Sequence, residues 1–201
     1  MTLEIFLALT SFALATSITP GPNNLMLLAS GANFGFRRTV PHMLGISIGH
    51  GFMIVMVGLG LITLFETFPV LHLIMQGLSV AYLLFLAWKI ANAAPPAEGE
   101  ARGKPFTFLQ AAAFQWVNPK AWFMALTAIS VYAPSESLAA IATVAVTFSS
   151  VNFPSILVWV CLGQVMRRVL TSHRRLRLFN WIMAALLVAS LLLILGPMSG
   201  H

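Results

Sequence analysis

Runs of apolar residues long enough to cross a bilayer follow one another along the whole of this 201-residue chain. They fall at about 5–32, 40–65, 69–91, 106–131, 138–165 and 177–197. A helix needs about 20 apolar residues to span the hydrocarbon core. In that core each backbone N–H and C=O must be satisfied within the protein, and a helix does this segment by segment. The expected class is therefore an all-α integral membrane protein with six transmembrane helices in a single domain, residues 1–201.

Composition agrees. Hydrophobic residues make up 59% of the chain and charged residues only 8%, against roughly half and roughly a quarter in a soluble domain. So few charges cannot cover a globular surface, which excludes a cytosolic enzyme, a secreted disulfide scaffold and a disordered tail. The net charge of +6 marks helix flanks rather than a nucleic-acid partner. One cysteine, Cys161, allows no intramolecular disulfide and no CxxC motif, aspartate is absent, and the five histidines are scattered. No metal site and no cofactor are expected. Residues 1–6 carry Glu4 but no Lys or Arg, whereas a secretory signal needs a basic start. The first run is expected to be a retained helix.

The breaks between runs carry turn chemistry or charge: Gly35 before Arg37 and Arg38, Pro69 after Glu66, Pro95 and Pro96 before Glu98 and Glu100, Pro134 before Glu136, and the basic stretch 167–177. Arg37 and Arg38 follow run one, Lys89, Arg102 and Lys104 follow run three, and Arg167, Arg168, Arg174, Arg175 and Arg177 follow run five. All lie on one predicted side, with Glu4, Glu66 and Glu136 on the other. The positive-inside rule then puts both termini outside. Trp88 and Trp181 fall near the inner interface and Tyr132 near the outer one, as aromatic belts do.

Six spans divide into three plus three, and an odd number per half makes the halves inverted. Repeat 1 covers about 1–92, a cytoplasmic loop about 92–105, and repeat 2 about 106–201. The first span of each half is interrupted near its centre: Thr19-Pro20-Gly21-Pro22-Asn23-Asn24 in one, Asn118-Pro119-Lys120-Ala121-Trp122 in the other. Prolines there cost ~3 kcal/mol or more in an undisturbed helix. Paired interruptions at matching positions point to a transporter site. Asn118-Pro119 reads as N-cap and first helical residue, a helix restart, and Thr19-Pro20 or Gly21-Pro22 reads the same way.

Each restarted helix is expected to aim its positive N-terminus at mid-membrane, with Lys120 adding a full charge. That suits a carboxylate. Asn23, Asn24, Gln115 and Asn118 offer amide oxygens to an ammonium group, and Asn152, beside Pro154 in the fifth span, joins the candidates. Asn152-Phe153-Pro154 is expected to break that span. The substrate expected from these residues is a small zwitterion such as a neutral amino acid. His50, flanked by Gly49 and Gly51 in span two, is one candidate for carrying a proton, Lys120 another, and the substrate's own amino group a third. His50 and Asn152 read equally well as packing contacts. His42, near the inner interface, reads as structural. Gly45 and Gly49 form a GxxxG for helix packing.

Thr19-Pro20-Gly21-Pro22-Asn23-Asn24, Gly35-Phe36-Arg37-Arg38 and Asn118-Pro119-Lys120-Ala121 together resemble the LysE/RhtB amino-acid exporters, over nearly the whole chain. Exporters of cysteine and O-acetylserine are the most similar in pattern, followed by those of homoserine and threonine. The resemblance implies a secondary transporter working by efflux across the bacterial inner membrane, driven by the proton-motive force through alternating access. Its partners are then an amino-acid substrate and the lipid bilayer, with a homo-oligomer left open. Export of another small metabolite remains an alternative. So do an intramembrane enzyme, for which Ser47 and His50 lack an orienting acid, and a non-transporting membrane subunit.

Overall fold

A computed structural model of the protein describes residues 1–93, 104–133 and 137–195. Arg102, Glu136, Pro134 and the 95–100 break lie outside the described residues. Within them the regular structure is helical throughout: α1 Leu3–Ile18, α2 Pro22–Phe34, α3 Phe36–Met56, α4 Ile62–Thr67, α5 Val70–Ala91, α6 Phe108–Gln115, α7 Pro119–Tyr132, α8 Leu138–Val169 and α9 His173–Leu195. A π-helical turn, Val57–Leu61, joins α3 to α4, and Gly60 within it has φ +95°. A side chain there would be strained. Sequence pattern alone gave one uninterrupted run here.

Among the described residues three helical stretches are long and apolar enough to cross a membrane: Phe36–Leu61, Leu73–Ala91 and Leu138–Val169. A fourth arises if Leu3–Ile18 and Pro22–Phe34, bent by 55° at their break, count as one. Large apolar side chains point outward along the helices, among them Leu73, Leu109, Val146 and Leu178. An outward apolar surface of this extent belongs in lipid. The protein is a multi-pass membrane protein.

Helix ends follow local chemistry. Thr2 caps α1 through Ile5 N at 3.3 Å, Thr107 and Gln110 form a capping box at α6, and Ser137 caps α8. α8 runs through Pro154 without a break, contrary to the expectation from Asn152-Phe153-Pro154. A lone proline removes one helix hydrogen bond and leaves the rest of the ladder standing. Two hydroxyls support the neighbouring turn: Ser155 Oγ donates to Val151 O at 2.8 Å, and Ser47 Oγ donates to Ser149 O at 3.3 Å.

The helices approach closely where glycine permits it. A Cβ on Gly163 would collide with the Leu28 carbonyl and one on Gly31 with the Val160 carbonyl, so α2 and α8 touch backbone to backbone. A Cβ on Gly45 or Gly49 would meet the backbone of Phe108 or Ala112, which puts the GxxxG of α3 against α6. With no hydrophobic drive between helices in lipid, small residues at such contacts supply the packing.

Candidate functional site

Two prolines four residues beyond Thr16 and Ile18 determine how α1 ends. Pro20 and Pro22 have no N–H to give to the carbonyls of Thr16 and Ile18. Every carbonyl from residue 16 to residue 20 instead receives a side-chain donor. Thr19 Oγ1 donates to Thr16 O at 2.9 Å. Asn24 Nδ2 donates to Ser17 O at 2.8 Å and to Thr19 O at 2.7 Å. Trp159 Nε1 on α8 donates to Ile18 O at 3.2 Å. Lys120 Nζ on α7 donates to Thr19 O and Thr19 Oγ1, both at 2.9 Å, and to Pro20 O at 3.2 Å. The Lys120 ammonium therefore closes the α1–α2 break from the other half of the chain. It also lies at the C-terminal, negative end of α1, where a cation is favoured.

The second interruption is wound more tightly. Trp116, Val117 and Asn118 each donate to the carbonyl three residues back, at 3.1–3.2 Å, and Trp122 Nε1 donates to Trp116 O at 2.8 Å. Asn118 Oδ1 accepts from Lys120 N at 3.2 Å, and Asn118 O accepts from Ala121 N at 2.9 Å. The N-terminus of α7 is thus occupied by its own cap. The N-cap of α2 is Gly21, which has no side chain to offer, so the first-turn N–H groups of Asn23 and Asn24 carry no side-chain cap. Both restarted helices were expected to present their N-termini at mid-membrane, with Asn118 as the cap of the second. Only that of α2 is without a side-chain cap, because asparagine caps its own helix and glycine cannot.

Around this point lies a small cavity of about 20 Å³, room for about one water molecule. Of the residues singled out by sequence, Gly21, Asn23, Asn24, Asn118, Lys120 and Asn152 line it. Thr16, Ser17, Ile46, Met124 and Ile156 complete the wall. Pro22 is buried behind it, Pro119 is half-buried at the start of α7, and Thr19 and Pro20 are exposed at the break. Gln115 is fully buried and is spent on Asn23. Asn23 Nδ2 donates to Gln115 Oε1 at 2.9 Å, and Gln115 Nε2 donates back to Asn23 Oδ1 at 3.3 Å and to Ala111 O at 2.8 Å. Asn152 Nδ2 donates to Ser17 Oγ at 3.0 Å. Its Oδ1 is buried with no hydrogen-bond partner.

His50 stands apart from this cavity. Its Nε2 is 3.2 Å from Ala121 O, so that nitrogen carries the proton, and its Nδ1 is buried without a partner. Its ring centroid is 4.9 Å from that of Phe148. It reaches the site only through Ala121, the residue after Lys120.

Ser17 and Trp159 were not foreseen. Ser17 carried a signal, as a polar residue one turn ahead of a proline break in an apolar run. Trp159 carried none, since its partner lies 141 residues away.

A family model described as LysE type translocator matches residues 14–197. The chain is 31% identical over 192 residues to a protein of Klebsiella pneumoniae subsp. pneumoniae named cysteine/O-acetylserine efflux protein, covering 94% of this chain and 95% of that one. Proteins of the same name from Escherichia coli (strain K12) and Salmonella typhimurium are each 31% identical over 193 residues, covering 94% of this chain and 96% of theirs. No solved structure matches.

Proposed function

The chain belongs to the LysE type translocator family, a family of amino-acid exporters and not of enzymes, and from that premise we propose that it exports small zwitterionic amino acids across the bacterial inner membrane. The named relatives make cysteine and O-acetylserine the first substrates to try. The observation that carries the reading is the sealed interruption between α1 and α2. A proline-broken helix at an apolar midpoint is held together by Lys120 from the opposite half, beside a cavity lined by amides.

A carboxylate has two sources of attraction here: the uncapped N–H groups of Asn23 and Asn24, and the ammonium of Lys120. Binding draws Lys120 away from Thr19 and Pro20 toward the carboxylate, which loosens the seal. The ammonium of the substrate meets Asn152 Oδ1, an acceptor whose burial without a partner costs about 1–3 kcal/mol. Asn118 contributes to the same wall, with Thr19, Pro20, Gly21, Pro22 and Pro119 shaping the backbone around it. Asn23 and Gln115 hold the halves together in the closed form. A cavity of about 20 Å³ is too small for an amino acid, so the arrangement is that of an occluded state, and alternating access requires the wall to move.

Six spans are proposed: α1 with α2, α3 with α4, α5, α6 with α7, α8, and α9. The contact pattern supports a 3+3 inverted repeat. The most extensive helix pairs are α2 with α8, α3 with α6, α3 with α8, α5 with α9 and α1 with α8. Taken span by span, exchanging the first three for the last three maps this set onto itself: spans one and five pair as spans four and two do, spans two and five pair with each other, and so do spans three and six. Arg167 reaches Gly35, next to Arg37 and Arg38, and Lys89 and Lys104 share a cavity with Phe34. A basic end of this kind supports cytoplasmic loops there and both termini outside.

The proton-motive force supplies the drive, with His50, Lys120 and the substrate amine as carriers to be distinguished. The test is uptake of labelled O-acetylserine into inverted vesicles under an imposed pH gradient. Accumulation dependent on the gradient and on this chain is expected. Vesicles that hold the protein and take up no amino acid would overturn the proposal.

A further inference from the structure

A second and larger cavity, about 220 Å³, opens at the basic end. His42, 1% exposed, lines it from α3, and neither of its ring nitrogens has a hydrogen-bond partner. Lys89 and Lys104 line it as well, together with Ser30 and Asn33 of α2. Phe106 packs against both His42 and Lys89: its ring centroid is 5.2 Å from that of His42, and Lys89 Nζ is 4.8 Å from the same ring centre.

A buried imidazole with two idle nitrogens is costly, about 1–3 kcal/mol for each unsatisfied polar group. A purely structural histidine in this position would serve better as leucine. His50 shows the contrast, since one of its nitrogens is bonded and it lines neither cavity. Apart from Asn92, the remaining wall of the large cavity, including Met26, Phe34 and Trp88, is apolar and leaves space for a small side chain.

Its position relative to the closed site matters. His42 lies one turn before Ile46, which lines the small cavity, so the two are about 6 Å apart along α3. On α2, Asn24 lines the small cavity and Met26 the large one. The two cavities are consecutive stations along the same pair of helices.

We propose that the cavity at the basic end is a second amino-acid site, in which Lys89 and Lys104 hold the substrate carboxylate and the bare ring nitrogen of His42 accepts from its ammonium. This rests on the amino-acid reading above and adds to it a loading station ahead of the occluded site. A neutral imidazole offers one acceptor and one donor, which matches an ammonium group and a second carboxylate oxygen. A plain anion uses the lysines but has nothing to give the acceptor nitrogen.

Equilibrium binding of labelled O-acetyl-L-serine to the purified full chain in phosphatidylcholine nanodiscs tests this. The wild type should bind two per chain. His42→Leu should keep the occluded site and lose the second, and Lys120→Met should do the reverse. Lys104→Gln, at an exposed position, should weaken only the second site, by roughly tenfold as for one charge-assisted contact. It provides the same readout if His42→Leu folds poorly. One equivalent bound by the wild type and unchanged in Lys104→Gln would overturn the second site while leaving the exporter reading intact. No binding by the wild type would overturn both. Release of the second equivalent by inorganic phosphate but not by alanine would make it an anion site and overturn the zwitterion assignment.

Discussion

The reciprocal amide pair between Asn23 and Gln115 invites a double-mutant cycle. The two hydrogen bonds, at 2.9 and 3.3 Å, join α2 to α6 across 92 residues of sequence. Side-chain hydrogen bonds between membrane helices average about 0.6 kcal/mol and reach about 1.7 kcal/mol in such cycles. Two parallel bonds, one of them long, give about 1–2 kcal/mol of coupling. Each single change also strands a partner. Asn23→Leu leaves Gln115 Oε1 without its donor at a fully buried position, a penalty of about 1–3 kcal/mol. Gln115→Leu strands Asn23 Nδ2 in the same way and frees the Ala111 carbonyl of a second donor. The double change strands neither amide of the pair, so its cost should approach that of one single change rather than the sum of both. Unfolding equilibria measured in bicelles by steric trapping give the four free energies. Coupling indistinguishable from zero would refute the bonded pair as a determinant of the closed form. Export assays on the same proteins separate structure from binding. If the pair only joins the halves, the double variant transports in proportion to its folded fraction. A well-folded but inactive double variant would return both amides to the role of substrate ligands.

Other outcomes follow from the same geometry. Lys120→Met should abolish transport and leave membrane insertion unchanged, because the intramembrane charge costs roughly 2.5–3.5 kcal/mol on insertion scales and its loss offsets much of the lost seal at Thr19 and Pro20; normal transport at equal expression would place the lysine outside the mechanism. Gly163→Leu should prevent the α2–α8 contact and sharply lower the yield of folded protein, since the Leu28 carbonyl occupies the space; a monodisperse, active variant would contradict that packing. His50→Gln, if His50 is the proton carrier, should retain substrate counterflow and lose accumulation driven by a pH gradient; gradient-driven accumulation at wild-type level would move the assignment to Lys120 or the substrate amine. In a Cys161→Ser background, cysteines placed at Arg174 and Glu4 should label from the inside and the outside respectively, and the reverse pattern would invert the proposed topology.

Sequence by itself determined the membrane class and located the chain breaks at Pro20-Gly21-Pro22 and Asn118-Pro119, because each is a local property. Apolar length sets which segments enter lipid, and proline chemistry removes particular donors whatever surrounds them. The same reasoning identified Gly21, Asn23, Asn24, Asn118, Lys120 and Asn152, which share one cavity. It misjudged Asn152-Phe153-Pro154, where neighbours on α3 and α8 support a continuous helix. Only the tertiary structure decided how the freed backbone groups are satisfied. The carbonyls of residues 17–20 could have turned to many polar side chains; Asn24 reaches two of them locally from the first turn of α2, whereas Trp159 and Lys120 reach the others because α8 and α7 pack against the break. Likewise, pairing spends Gln115 on Asn23, and His42 is left with idle nitrogens in a cavity. A side chain's partner depends on which distant segment lies within about 3 Å, and sequence pattern carries no measure of that distance.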